Sequence, residues 1–199
     1  MTKQHPAKII GISGTNGSGK DTIGNLLADK YGYMFISVTD ILRAELTKRG
    51  LPLAREYARE LSAEWRRKYG RGVLIDKAKE IFDASNGSYK GLAMASLRNP
   101  GEADSVHNYG GVVIWVDADP KVRYERIQAN SKQRGQHRLL DDQKSFAEFI
   151  ADEEAEMHHS GDEATLSMSG VREKSDIFLK NNGHDLSELE KELSSSLGL

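Results

Sequence analysis

Residues 14–22 read Gly-Thr-Asn-Gly-Ser-Gly-Lys-Asp-Thr. Glycines at this density let a chain curl until several backbone N–H groups point into one hollow, which suits a phosphate. Lys20 adds a full charge that can reach terminal phosphates. Gly14, Gly19 and Lys20 fit the spacing G-x-x-x-x-G-K-[ST]. Asp21 stands where Ser or Thr usually holds magnesium, with Thr22 one place later. The expected triphosphate-binding residues are therefore Gly14, Thr15, Asn16, Gly17, Ser18, Gly19, Lys20, Asp21 and Thr22, with Asp21 and Thr22 as candidate magnesium ligands. A rival use of the same glycines is a dinucleotide turn built on Gly17 and Gly19, with Asp40 as the ribose acid. That pattern needs a third glycine where Thr22 stands, and it leaves Gly14 and Lys20 unexplained.

A phosphate loop works only between a strand that delivers it and a helix whose N-terminus faces the anion. Ala7–Ser13 before the loop is apolar, and Ile23, Leu26 and Leu27 after it have helical spacing. Strand-like runs then recur at Lys8–Ser13, Tyr33–Ser37, Gly91–Ser96, Gly111–Asp117 and Asp176–Lys180. Val112–Val116 is continuously apolar, as in a strand covered on both faces. Alternation with helical stretches predicts a parallel α/β sheet with the loop at the carboxyl ends of its strands.

Two inserts interrupt that alternation. Residues 39–90 carry no strand signal, and within them Tyr57, Leu61, Trp65 and Tyr69 form an apolar helix stripe. Core packing is the expected role of this stripe; the alternative is that Trp65 or Tyr69 lines a substrate cleft. Ser131–Leu140 is basic and poor in apolar residues, so it is expected to be a mobile loop, with Arg134 and Arg138 able to close over phosphates. Thr39 or Asp40 is the expected cap of the helix after the second strand, which puts Arg43 one turn into it. His158 and His159 lack any metal-binding pattern and read as a solvated helix end; Glu153, Glu154 and Glu156 read as a solvated face or as partners for arginines.

Bulk properties exclude several classes. The 199 residues suffice for one domain with a real core, and the expected unit is a single domain over 1–199. A net charge of -2 gives no basic excess for a nucleic-acid partner. The absence of cysteine removes disulfides and thiolate metal sites. Met1–Pro6 has no signal-peptide core and no apolar run approaches the roughly 18 residues of a membrane span, so a cytoplasmic protein without membrane contact is expected.

Ser37-Val-Thr-Asp-Ile-Leu-Arg43 resembles the S-T-G-D-x-L-R segment of adenylate kinases. Together with Gly14–Thr22 it identifies the chain as similar to the nucleoside-monophosphate-kinase-like group of P-loop proteins. That group also holds dephospho-coenzyme A kinases, deoxynucleoside monophosphate kinases and an uncharacterised archaeal family of kinase-like ATPases. The Gly-Lys-Asp-Thr ending of the loop resembles the deoxynucleotide kinases, and Leu46–Tyr69 is most similar to the archaeal family. The resemblance implies a three-layer fold with a five-stranded parallel sheet in the order 2-3-1-4-5, a helical acceptor-binding insert over 39–90 and a short lid over 131–140. It implies that Asp40, Arg43 and Arg98 bind the acceptor and that Arg126, Asn182 and Gly183 lie by the ATP. It also implies that Lys20, Arg98, Arg134 and Arg138 serve catalysis, the last two because Asn130 stands where relatives carry an arginine at the base of the lid. One departure is plain: the carboxylate expected at the end of the third strand is replaced by Met94, Ala95 and Ser96. The implied reaction is ATP- and magnesium-dependent phosphorylation of a small nucleotide-type acceptor, foremost a nucleoside or deoxynucleoside monophosphate. The alternatives are dephospho-coenzyme A as acceptor, where the missing carboxylate removes a general base, and a regulatory ATP-binding protein with slow ATPase activity.

Overall fold

A computed structural model describes residues 7–130, 144–158, 161–183 and 185–199. The strands are β1 (Ile9–Gly14), β2 (Tyr33–Ser37), β3 (Gly91–Ala95), β4 (Val112–Asp117) and β5 (Ile177–Lys180). They form one sheet in the order β2-β3-β1-β4-β5, parallel throughout. β1 and β3 are buried along their whole length because helices cover both faces.

Alternate residues of the sheet feed two cores. On one face Ile9, Leu92, Met94, Val113 and Trp115 pack against α2 (Val38–Lys48), α3 (Arg55–Tyr69), α4 (Val73–Asp83) and α5 (Pro100–Asn108), with α8 (Met168–Glu173) closing the layer. On the other, Ile10, Ile12, Ala93, Ile114 and Val116 meet Ile23 and Leu27 of α1 (Lys20–Tyr31) and Leu189, Leu193 and Leu197 of α9 (Leu186–Leu197). The remaining helices, α6 (Pro120–Ala129) and α7 (Phe146–Met157), lie against each other through Tyr124, Phe146 and Phe149. The result is the three-layer α/β fold and strand order that the resemblance implied. Among the described residues no helix is long and apolar enough to cross a membrane.

Three helices, α2 to α4, fill the insert. Its apolar stripe is core for Leu61 and Trp65, which are buried, while Tyr69 is 55% exposed. Tyr69 is the last residue of α3, and Gly70 turns the chain away at φ 101°. Neither Thr39 nor Asp40 caps α2. The helix follows β2 without a loop, so Ser37 is the N-cap and both residues fall within the first turn. The Asp40 carboxylate instead takes a hydrogen bond from Arg43 one turn on, at 2.8 Å.

Candidate functional site

β1 delivers the chain to the loop at Gly14, where φ is 139° and a Cβ would lie 1.9 Å from the Val116 carbonyl oxygen. No other residue could pass there. Gly19, at φ 97°, is the N-cap of α1 and offers no side chain to the helix's first amides, which are left facing outward. That is the arrangement an anion occupies at a helix N-terminus.

The loop is gripped from outside by residues the sequence did not single out. Thr15 Oγ1 donates to Asp117 at the end of β4 at 2.7 Å, and Asn181 Nδ2 donates to the Ser18 carbonyl at 2.8 Å. Arg123, almost wholly buried, donates to the carbonyls of Ala118 and Asn16 and is held by both oxygens of Glu153. Its one sequence signal is spacing: it stands four residues before the buried Ile127, on the core-facing side of α6. Ser18 is buried beneath the loop, where its hydroxyl donates to the Thr15 carbonyl at 2.8 Å.

Lys20 curls back over the loop and donates to the carbonyls of Gly14 at 2.9 Å and Thr15 at 2.5 Å. Its pKa is pushed down to about 7, chiefly by burial and next by the Arg98 cation, against a smaller upward pull from Asp21. A bound triphosphate supplies the opposite charge and favours the ammonium. Affinity is therefore full below the free lysine's pKa and falls as pH rises through it. Calorimetry in buffers of different ionisation enthalpy should show uptake of close to one proton per nucleotide at about pH 8 and almost none at about pH 6. Absence of uptake at the higher pH contradicts contact between Lys20 and the phosphates.

A single cavity of about 350 Å³ runs from this loop into the insert. Asn16, Gly17, Gly19, Lys20, Asp21 and Thr22 of the loop and α1 line it. Arg43, Arg55, Arg59 and Arg98 line it too, among the apolar side chains of Leu42, Leu53 and Leu74. Arg126 also lines it, anchored to the carbonyls of Asn181 at 2.8 Å and Gly183 at 2.6 Å. Asn182 is turned to the backbone N–H of Asp119 at 2.7 Å, and neither it nor Gly183 lines the cavity. Asp40 also lies off its wall, while Gly14 and Thr15 face a smaller neighbouring cavity. Arg134 and Arg138, with the rest of Ser131–Leu140, lie outside the described residues.

Ser96 follows β3 on the cavity wall with φ 73°, a left-handed conformation uncommon for a residue with a side chain. It follows Met94 and Ala95, the other two positions over which the resemblance implies a carboxylate. Asp21 is then the one carboxylate among the described residues lining this cavity. No cluster of three acidic or histidine side chains able to hold a metal occurs among the described residues. Magnesium would fit here in its usual manner, carried on phosphate oxygens and waters with Asp21 or Thr22 at hand. His158 is exposed at the end of α7, beside an equally exposed Glu154. Glu153 and Glu156 are arginine partners rather than a solvated face.

The profile of the AAA domain family matches residues 10–156. The chain is 30% identical to a UPF0200 protein of Methanococcus vannielii, over 87% of this chain and 92% of that one. It is 25% identical to a UPF0200 protein of Pyrobaculum aerophilum, over 95% and 96% of the two chains. Among solved structures, shikimate kinase from Bacteroides thetaiotaomicron superposes with a TM-score of 0.60 at 16% identity, covering 96% of this chain and 98% of that one, a likeness of fold.

Proposed function

The chain belongs to the AAA domain family of P-loop proteins, together with the UPF0200 proteins, and on that premise we propose that it is an ATP- and magnesium-dependent phosphotransferase acting on a small phosphorylated acceptor. The acceptor we favour is a nucleoside or deoxynucleoside monophosphate. The observation that carries this reading is the shared cavity: the phosphate loop with Lys20 and the arginines Arg43 and Arg98 line the same space. Donor and acceptor are both anionic, so catalysis consists mainly of alignment and charge neutralisation. Lys20 would neutralise the transferring phosphate and Arg98 would bridge toward the acceptor, with Arg43 holding the acceptor's phosphate.

The lining also weighs between acceptors. A ribose hydroxyl, as in dephospho-coenzyme A, needs a general base within hydrogen-bond reach. Ala95 and Ser96 offer none, and Asp21 sits in the first turn of α1, beside the phosphate loop. A monophosphate needs no such base, because its oxygens are already ionised. The alternative of a regulatory ATP-binding protein with slow hydrolysis draws on the same missing carboxylate. A coupled assay for ADP with nucleoside monophosphates, deoxynucleoside monophosphates, dephospho-coenzyme A or no acceptor separates the three. Acceptor-dependent ADP release with a monophosphate is expected; release independent of every acceptor overturns the proposal.

A further inference from the structure

The arginines of the cavity wall are not waiting empty. Glu156, near the end of α7, places its carboxylate among three of them. Oε1 accepts from Arg59 at 2.6 Å and lies 2.8 Å from Arg55 Nη2, while Oε2 accepts from Arg98 at 2.8 Å. The glutamate side chain is 12% exposed, and it faces the smaller cavity, so it stands in the wall between the two. All three arginines also line the larger cavity. Burial pushes the Glu156 pKa up, but Arg98, Arg55 and Arg59 outweigh it and hold the group down to about 2. The carboxylate is therefore ionised at any working pH, and three guanidiniums share its single charge.

We propose that Arg55, Arg59 and Arg98 join Arg43 in the subsite for the acceptor's anionic group, and that Glu156 is a built-in competitor for it that admits a phosphate monoester and turns away a monocarboxylate. The inference rests on the reading of this cavity as the acceptor half of a phosphotransferase site. Glu156 is tethered, so its effective concentration at the arginines is high. A free monocarboxylate would replace one single negative charge by another and gain nothing in return. A phosphate monoester carries nearly two charges and three acceptor oxygens, enough to bond several guanidiniums in their fork geometry. It can therefore displace Glu156 where a carboxylic acid cannot. The acceptor's apparent affinity is lowered by the fraction of molecules in which Glu156 holds the arginines.

Calorimetric titration with inorganic phosphate, and separately with acetate, tests this in the presence of magnesium and saturating nonhydrolysable ATP analogue to occupy the loop. For the unaltered protein, phosphate binding and no measurable acetate binding are expected. Glu156→Gln keeps the shape and removes the charge; it should tighten phosphate about tenfold or more and bring acetate into the measurable range. Arg55→Ala with Arg59→Ala should weaken phosphate about tenfold or more. A folded Glu156→Gln protein with unchanged or weaker phosphate affinity overturns the competitor, and acetate binding as tightly as phosphate overturns the selectivity. If Glu156→Gln does not fold, the double arginine variant decides: phosphate affinity unaltered in it overturns the subsite. Failure of the ATP analogue to bind would count against the phosphotransferase reading instead, while the phosphate titrations would still report on the arginines.

Discussion

Lys20→Ala is expected to cut phosphoryl transfer by roughly 10²-fold or more, the scale of a lost charge contact in a transition state. The side chain lies back on the Gly14 and Thr15 carbonyls, at the point where a phosphate chain entering from the cavity would meet it. Removing it should leave the loop standing. The loop's shape is set by Gly14 and Gly19 and by the outside grips of Asp117, Asn181 and Arg123, none of which involves Lys20. Alanine is also an excellent helix former at the start of α1. The variant should keep the thermal midpoint of the parent protein or better it, since a lysine held near neutrality by burial is costly to keep charged. Steady-state rates at saturating ATP and acceptor are the check, and near-normal turnover contradicts the chemistry assigned to the loop.

Glu102→Ala is expected to lower the free energy of unfolding by about 3–5 kcal/mol, the usual loss when one partner of a buried ion pair is removed. Glu102 Oε1 takes two hydrogen bonds from Arg66, at 2.7 and 3.2 Å, and both side chains are almost fully buried. Its other oxygen takes the backbone N–H groups of Arg98 at 2.7 Å and Asn99 at 3.1 Å, closing a capping box at the head of α5. The alanine variant strands a guanidinium and two amide donors away from water. Urea denaturation measures the loss. Replacing both partners by apolar residues, Arg66→Met with Glu102→Leu, should cost much less, because no charge is then left alone. A loss below about 1 kcal/mol in the single variant contradicts the structural role given to the pair. Because the same carboxylate fixes the Arg98 backbone, acceptor affinity should fall as well in the folded fraction.

The phosphate loop and the sheet were legible in the sequence for a physical reason. Both are local patterns: a strand buried on two faces is a continuous apolar run, and a loop that cradles phosphate needs glycines at fixed offsets. Tyr33–Ser37 is matched at both ends and the other four strands differ from the expected runs by one residue at one or both ends, as where Ser96 drops out of β3 by turning left-handed. The cap of α2 was misplaced because β2 passes into the helix at Ser37 with no loop between them, so the usual capping residues were already inside. What the sequence could not show are pairings set by the tertiary fold. Arg66 meets Glu102 across 36 residues and Arg98 meets Glu156 across 58, and no local spacing marks either. The burial of Arg123 follows from where α6 places it, within reach of the Asn16 carbonyl and Glu153. Arg55 and Arg59 carry no local signal in α3, and only the approach of α7 gathers them around one carboxylate.

The central claim is that donor and acceptor phosphates meet in one cavity, which both Lys20 and Arg98 line. Calorimetric binding of a bisubstrate analogue, two nucleosides joined through a chain of phosphates, tests it most directly. The expected result is one analogue per chain, bound at least about tenfold tighter than ATP because the second contact is made at high effective concentration, with the gain lost in both Lys20→Ala and Arg98→Ala. An analogue that binds no more tightly than ATP, or that ignores Arg98→Ala, would contradict it.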